Sequence, residues 1–232
     1  MNPCNTQNEE KKEKKLRAKL LSLRYLVLDS GRVIAGPFVL LYFRPKFYYE
    51  NAAARRKLRG NALVIANHPG QFDCVKLLVA VWYRRLHIIA TKDIFERSKF
   101  ANWFYTQCQC IKVDKDNFNY DTFLTVQERL AGGCVVGLFP EGQVSASDEG
   151  VSAFKSGVTL MAMKSGAPVQ PIFIAERKNV FQRLRIAVGE PIHVDELSKD
   201  KPAMLAIQEA TQKIREKELE LKQLIDTERQ ER

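Results

Sequence analysis

The chain has 232 residues with 45% hydrophobic content, enough to bury a sizeable core and far from the composition of a disordered polypeptide. Lys and Arg number 37 against 27 Asp and Glu, a net charge of +10 that suits an anionic partner: nucleic acid, an acidic membrane surface or a phosphorylated substrate. The five cysteines are odd in number and lack framework or zinc spacing, so they read as reduced thiols, and no pattern of metal ligands is present.

In chain order, residues 1–15 are polar, with no apolar run beside the charges that would make a signal peptide. LRAKLLSLRYLVLD, 16–29, spaces its apolar residues as a basic amphipathic helix, to lie on a membrane surface or pack on the core, with Gly31 as its stop. VIAGPFVLLYF, 33–43, is shorter than the roughly 20 residues of a spanning helix, and predicts an interfacial or core element. From residue 61 strands and helices alternate. Strands are expected at ALVIAN, LHIIA (86–90), CIKV (110–113), CVVGLF (134–139), PVQPIFI (168–174) and LRIAVG (184–189). Helices are expected over 71–84, 94–108, 119–131 and 151–166, the last closed by Gly166.

That alternation predicts an α/β fold, a mainly parallel central sheet flanked by helices. The aromatics from Phe95 to Tyr105 either join the core or meet an acyl chain or bilayer. From Pro202 a long charged helix follows, with Ile214, Leu221, Leu224 and Ile225 as sparse apolar positions; it reads as a solvated surface helix. The chain divides into a basic amphipathic segment (1–45), the α/β domain (46–200) and the C-terminal helix (201–232).

The chemistry begins at NHPGQFD, 67–73. His68 precedes a proline and so stays extended at the strand's end. Pro69 and Gly70 turn the chain, and Asp73 falls in the first turn of the next helix, where the dipole favours a carboxylate. In a parallel sheet such a junction is a usual place for a site. A carboxylate that holds one ring nitrogen protonated leaves the other as a base, which is the orienting half of a triad. The alternative is a histidine merely satisfied by a helix-capping carboxylate. A second turn, FPEG at 139–142, follows another strand, with Glu141 placed at its tip between Pro140 and Gly142.

With these two turns the sequence resembles the glycerolipid acyltransferases typified by 1-acylglycerol-3-phosphate acyltransferase. Four blocks match in order: NHPGQFD fits the N-H-x4-D motif, CIKVDK (110–115) the second block, FPEG the third and APVQPIFI (167–174) the fourth. The resemblance implies His68 as general base, Asp73 as its orienting partner and Glu141 as a residue that helps place the acceptor. It implies that Gly142 allows close backbone approach and that Pro171 shapes the edge of the fourth block. Two departures stand out: the second block has Lys115 at a position that is usually Arg and Gln109 at one that is usually Gly, and in the third block Val144 occupies the position of the arginine that meets the acceptor's phosphate. Lys112, Lys115 and Lys155 are candidate replacements for that charge, and phosphate-monoester acceptors are not expected to be strongly preferred.

The implied reaction is acyl transfer from a thioester, acyl-CoA or acyl-ACP, to the hydroxyl of a lysophospholipid or related lipid, without cofactor or metal. The expected setting is cytoplasmic, peripheral on the inner face of a membrane, with no nucleic-acid partner. Two other readings remain open on the residues alone: a noncatalytic basic module for anionic lipid or nucleic acid, and a thioester hydrolase using Cys74 or an activated water. His87, inside LHIIA, reads as a core histidine, and His193 has no motif around it.

Overall fold

The computed structural model describes residues 25–68, 70, 72–114, 120–142, 151–194 and 202–230. Two short helices come first, α1 (Leu26–Ile34) and α2 (Gly36–Phe43). Residues 16–24 of the expected amphipathic helix lie outside the described residues. Gly31 does not stop α1. The break comes at Ala35, and Pro37 falls in the first turn of α2, where a missing N–H leaves no helical bond unmade. No described helix is long and apolar enough to cross a bilayer alone; α1 and α2, bent by 49°, have that length and composition only as a pair. α1 is moored by the Asp29–Arg85 ion pair and by Tyr25, whose ring meets His87 edge-on.

Seven strands form one sheet in the order β1-β7-β6-β2-β5-β3-β4. They are β1 (Lys46–Tyr49), β2 (Ala62–Ala66), β3 (Leu86–Thr91), β4 (Ile111–Val113), β5 (Val135–Leu138), β6 (Val169–Ile174) and β7 (Arg185–Val188). Every pairing is parallel except β6 with β7, so β7 and its parallel neighbour β1 run against the rest. The expected mainly parallel sheet is present. β1, which no periodicity marked, adds an edge strand with Lys46 opposite Arg185.

β2 shows why the sheet is buried on both faces. Ala62, Val64 and Ala66 face one core, with Leu77 and Val79 of helix α3 (Asp73–Ala80) and Val39 and Leu40 of α2. Leu63 and Ile65 face the other, with helix α6 (Tyr120–Ala131) and helix α7 (Gly157–Ser165). A strand whose alternate residues both find apolar partners reads as an uninterrupted apolar run.

Three expectations about helices need correction. The helix over 94–108 is two, α4 (Lys92–Glu96) and α5 (Lys99–Gln107), because Ser98 is extended and its hydroxyl accepts the Ala101 amide at 3.0 Å, a new N-cap. The helix over 151–166 starts only at Gly157; Gly166 closes it in the left-handed conformation as expected. The C-terminal helix α8 (Ala203–Gln230) is not a solvated rod. Ala206, Ala210, Ile214, Leu221 and Ile225 are all buried, Ala210 and Ile214 in the core that α7 helps to form and the last two against Phe173 of β6 and Ala187 of β7. Charged residues occupy its other faces, so the buried stripe is thin and hard to see in composition.

Candidate active site

β2 and β5 are adjacent and parallel, so their C-terminal ends emerge side by side. The first delivers Asn67 and His68; the second delivers Phe139, Pro140 and Glu141. Asn67 is buried and locks the edge: its amide donates to the Ile174 carbonyl at 3.1 Å and its oxygen accepts the Ile174 amide at 2.7 Å. β2 is thereby stitched to β6 one residue beyond the ladder.

His68 Nδ1 lies 2.8 Å from Asp73 Oδ2. A carboxylate only accepts, so Nδ1 carries the proton and Nε2 is left with its lone pair. Nε2 has no hydrogen-bond partner among the described residues. The His68 side chain is 21% exposed, while that of Asp73 is fully buried. Asp73 also accepts the Gly70 amide at 2.5 Å and Lys76 Nζ at 2.7 Å. Burial pushes its pKa up, but the bonds from His68, Lys76 and Gly70 outweigh that and hold it below the ordinary carboxylate value. The imidazole lies against the ring of Phe139, centroids 4.4 Å apart and planes 25° from parallel. Its orientation is therefore fixed by a charge on one side and an apolar ring on another.

Glu141 is not thrust out at a turn tip. It is 3% exposed, and its two oxygens accept backbone amides: Oε1 from His68 at 3.2 Å and Oε2 from Ser152 at 3.1 Å. The side chain is a strut between the end of β2 and the segment before α7. Gly142 has φ of +70°, and a Cβ there would sit 2.9 Å from Lys155 Cε and Nζ, so Lys155 is laid against this turn. The Lys155 amide donates to the Pro140 carbonyl at 2.9 Å, closing the segment back onto it.

The structure thus brings His68, Asp73, Glu141, Gly142 and Lys155 together. Lys112 is elsewhere: it donates to Glu96 at 3.1 Å and lines a cleft with Asp114, Asp121 and Arg129 that contains neither His68 nor Asp73. Pro171 is buried within β6, its carbonyl accepting the Gly189 amide at 3.0 Å. Lys115 and Val144 lie outside the described residues. Sequence reasoning missed Lys76, Asn67 and Phe139; Asp73 and Lys76 at helical i, i+3 spacing were the available signal for the first. His87 is a core histidine, its Nδ1 3.1 Å from the Gln109 carbonyl. Cys74 points away from reactivity, because burial and the neighbouring Asp73 both raise its pKa.

A family model described as Acyltransferase matches residues 46–175, more than half of the chain. The 1-acyl-sn-glycerol-3-phosphate acyltransferase of Bacillus subtilis (strain 168) is 27% identical over 170 residues, covering 70% of this chain and 83% of that protein. Among solved structures, the 1-acyl-sn-glycerophosphate (LPA) acyltransferase PlsC from Thermotoga maritima has a TM-score of 0.53 at 20% identity, over 87% of this chain and 96% of that one, a likeness of fold. The family match runs from β1 to the end of β6, spanning both the His68–Asp73 pair and the Glu141 turn, and the chain belongs to the acyltransferase family.

Proposed function

We propose that this acyltransferase moves a fatty acyl group from a thioester donor, acyl-CoA or acyl-ACP, to the hydroxyl of a lysoglycerolipid, with His68 as general base and Asp73 as its orienting partner. The observation that carries the reading is the 2.8 Å bond from His68 Nδ1 to a buried carboxylate at a strand's C-terminal end, with Nε2 unengaged. In the proposed reaction Nε2 takes the acceptor's hydroxyl proton as the oxygen bonds to the thioester carbonyl carbon. Asp73 stays ionised and stabilises the imidazolium so formed. The C–S bond of the tetrahedral intermediate then breaks, and the departing thiolate takes the proton from His68. A thiol of pKa roughly 8.5 leaves far more readily than an alkoxide, so the exchange needs neither metal nor cofactor.

Glycerolipid acceptors are what the names of the similar proteins specify. Lysophosphatidic acid belongs to the proposed acceptor range, but Val144 in place of an arginine speaks against a strong preference for a phosphate monoester. Lys155 at the Glu141 turn is the proposed cation for an acceptor headgroup.

The proposed lysolipid acceptor resides in a bilayer. Exposed Leu26, Val33, Ile34, Phe38 and Leu41 on α1 and α2, with Phe100 and Trp103 on α5, form the proposed contact with it. Phe72, 70% exposed, adjoins Asp73 and is proposed to take part in that contact beside the site. Basic residues such as Arg32 and Arg44 favour an anionic leaflet, and attachment is proposed to be peripheral, on the cytoplasmic face.

The test incubates the pure protein with an acyl thioester, with and without a panel of lysolipids, and follows thiol release. Release that depends on acceptor and is lost in His68→Ala supports the proposal. Acceptor-independent release would instead identify a hydrolase, and no release with tight liposome or DNA binding would identify a binding module.

A further inference from the structure

The connection from β6 to β7 presents side chains that the core does not use. Val180 and Phe181 stand at its tip, 54% and 84% exposed. Left in water, an apolar tip of this kind is a liability. Yet the backbone that presents it is firmly held. The Phe181 amide donates to Asn179 Oδ1 at 3.1 Å, and its carbonyl accepts from the Arg44 guanidinium. The Val180 carbonyl accepts from Arg177 at 2.6 Å. On either side, the Gln182 amide donates to the same Asn179 oxygen at 3.1 Å, and Gln182 Oε1 accepts the Lys178 amide at 3.0 Å. The Phe181 amide and carbonyl and the Val180 carbonyl are thus satisfied within the protein, which is what a segment needs on leaving water for hydrocarbon.

Charge and continuity say what covers the tip. Arg44, Arg177, Lys178 and Arg183 flank it, and Glu176 is the single acidic residue between Ile174 and Arg185. The three guanidinium groups are spent on backbone carbonyls, of Phe181, Val180 and Arg44 respectively, so their charge is not neutralised by a carboxylate. Cations around an apolar tip complement an anionic lipid surface. Arg177 also lies over the rings of Tyr42 and Phe43 in α2, 4.8 and 5.1 Å from their centroids. Arg183 Nε reaches the Arg44 carbonyl at 3.0 Å. The tip is thereby joined to α2, whose Phe38 and Leu41 are exposed. The connection leaves β6 directly after Ile174, the residue that Asn67 clamps beside His68, so it emerges at the site's edge of the sheet.

We propose that Val180 and Phe181 form a wedge that enters an anionic leaflet, with Arg44, Arg177, Lys178 and Arg183 at the lipid phosphates, and that it holds the His68 edge against the bilayer carrying the acceptor. This rests on the reading of a lipid acceptor and of α2 as a membrane contact.

The test uses the full chain with vesicles of phosphatidylcholine, alone or mixed with phosphatidylglycerol. In a Trp82→Phe/Trp103→Phe background, which removes both native tryptophans, Phe181→Trp places one indole at the tip. Its emission should shift to the blue on mixed vesicles and be quenched by lipids brominated on their acyl chains. Val180→Ser/Phe181→Ser should weaken binding to mixed vesicles roughly tenfold and raise KM for vesicle-borne lysolipid more than it lowers kcat. Its Tm should match wild type, because both side chains already face water. Lys178→Glu should weaken binding to mixed vesicles but not to phosphatidylcholine alone. An indole at position 181 that stays unshifted and unquenched on vesicle-bound protein would overturn the proposal. So would wild-type binding by Val180→Ser/Phe181→Ser, or a lipid-free dimer that these two substitutions abolish, which would put a second copy of the chain on the tip. Phe38→Asp/Leu41→Asp and His68→Ala are run alongside. Wild-type binding by the first fails the α2 contact, and activity in the second fails the base, while quenching at position 181 reports on the wedge by itself.

Discussion

Replacing Asp73 by Asn separates what the carboxylate does for chemistry from what it does for stability. The substitution keeps the shape but not the charge, and the new amide cannot serve all the donors that now converge on Asp73: His68 Nδ1, the Gly70 amide and Lys76 Nζ. An amide oriented to present its NH2 to Nδ1 selects the wrong imidazole tautomer, and loss of the orienting carboxylate from such a pair lowers kcat by about 10³- to 10⁴-fold, or about 4–5.5 kcal/mol. Stability falls too, because Lys76 is nearly buried and loses its anion. Breaking a buried pair costs about 3–5 kcal/mol; with one amide oxygen still accepting, about 2–3 kcal/mol is expected, a fall in Tm of roughly 5–10 °C for a chain of this size. The companion variant Asp73→Asn/Lys76→Met removes the stranded ammonium and should recover most of the Tm but none of the kcat. Thiol release with a lysolipid acceptor and thermal melts on both proteins decide the matter. If the double variant regains activity together with stability, or Asp73→Asn stays within tenfold of wild type, Asp73 is a structural residue and the orienting argument is wrong. The pH dependence has a definite sign. The folded-state pKa of Asp73 is depressed, so its contribution is fully present above the unfolded value of 3.8 and is lost as the pH falls below that through the folded value.

Asn67→Ala leaves the Ile174 amide and carbonyl unpaired in a buried place; about 2–4 kcal/mol of stability should go, with a matching fall in denaturant midpoint at unchanged m-value. Gly189→Ala sets a Cβ 2.8 Å from Cγ of the rigid Pro171 ring, so about 1–3 kcal/mol is expected to be lost, measured in the same unfolding experiment, while kcat of the surviving folded protein is unchanged. Cys74→Ala should keep acyl transfer within about threefold of wild type, since a thiol whose pKa is raised is a poor nucleophile; an inactive but folded variant would revive the covalent route. Phe38→Asp combined with Leu41→Asp, both at exposed positions of α2, should reduce sedimentation with anionic liposomes by at least about tenfold, without lowering Tm.

The NHPGQFD stretch was legible because its logic is local: a pre-proline residue stays extended, a turn follows, and a first-turn carboxylate comes back within reach. The Glu141 turn was legible as a place but not as a contact. Its partners are amides at positions 68 and 152, and backbone donors leave no mark in a sequence. α8 misled for a related reason. A helix that buries one narrow stripe looks polar all round, and only the uncovered faces of β6 and β7 reveal where it must lie. The break at Ser98 was readable as an N-cap signal, but the aromatic run on either side masked it. Lys112 matched the second block well enough to be nominated, yet β4 carries it to a different edge, where Glu96 takes the charge.

The position of β1 has a consequence for the order of assembly. The first strand of the sheet finds its neighbour only in the last, residue 46 against residue 185, and the faces of β6 and β7 stay uncovered until residues 203–230 have been made. During synthesis the growing chain therefore carries β1 unpaired until residues 185–188 have been made, and an open apolar layer until α8 has been made. Such long-range closure is slow and exposes sticky surface, so yield in cells should depend on chaperone capacity.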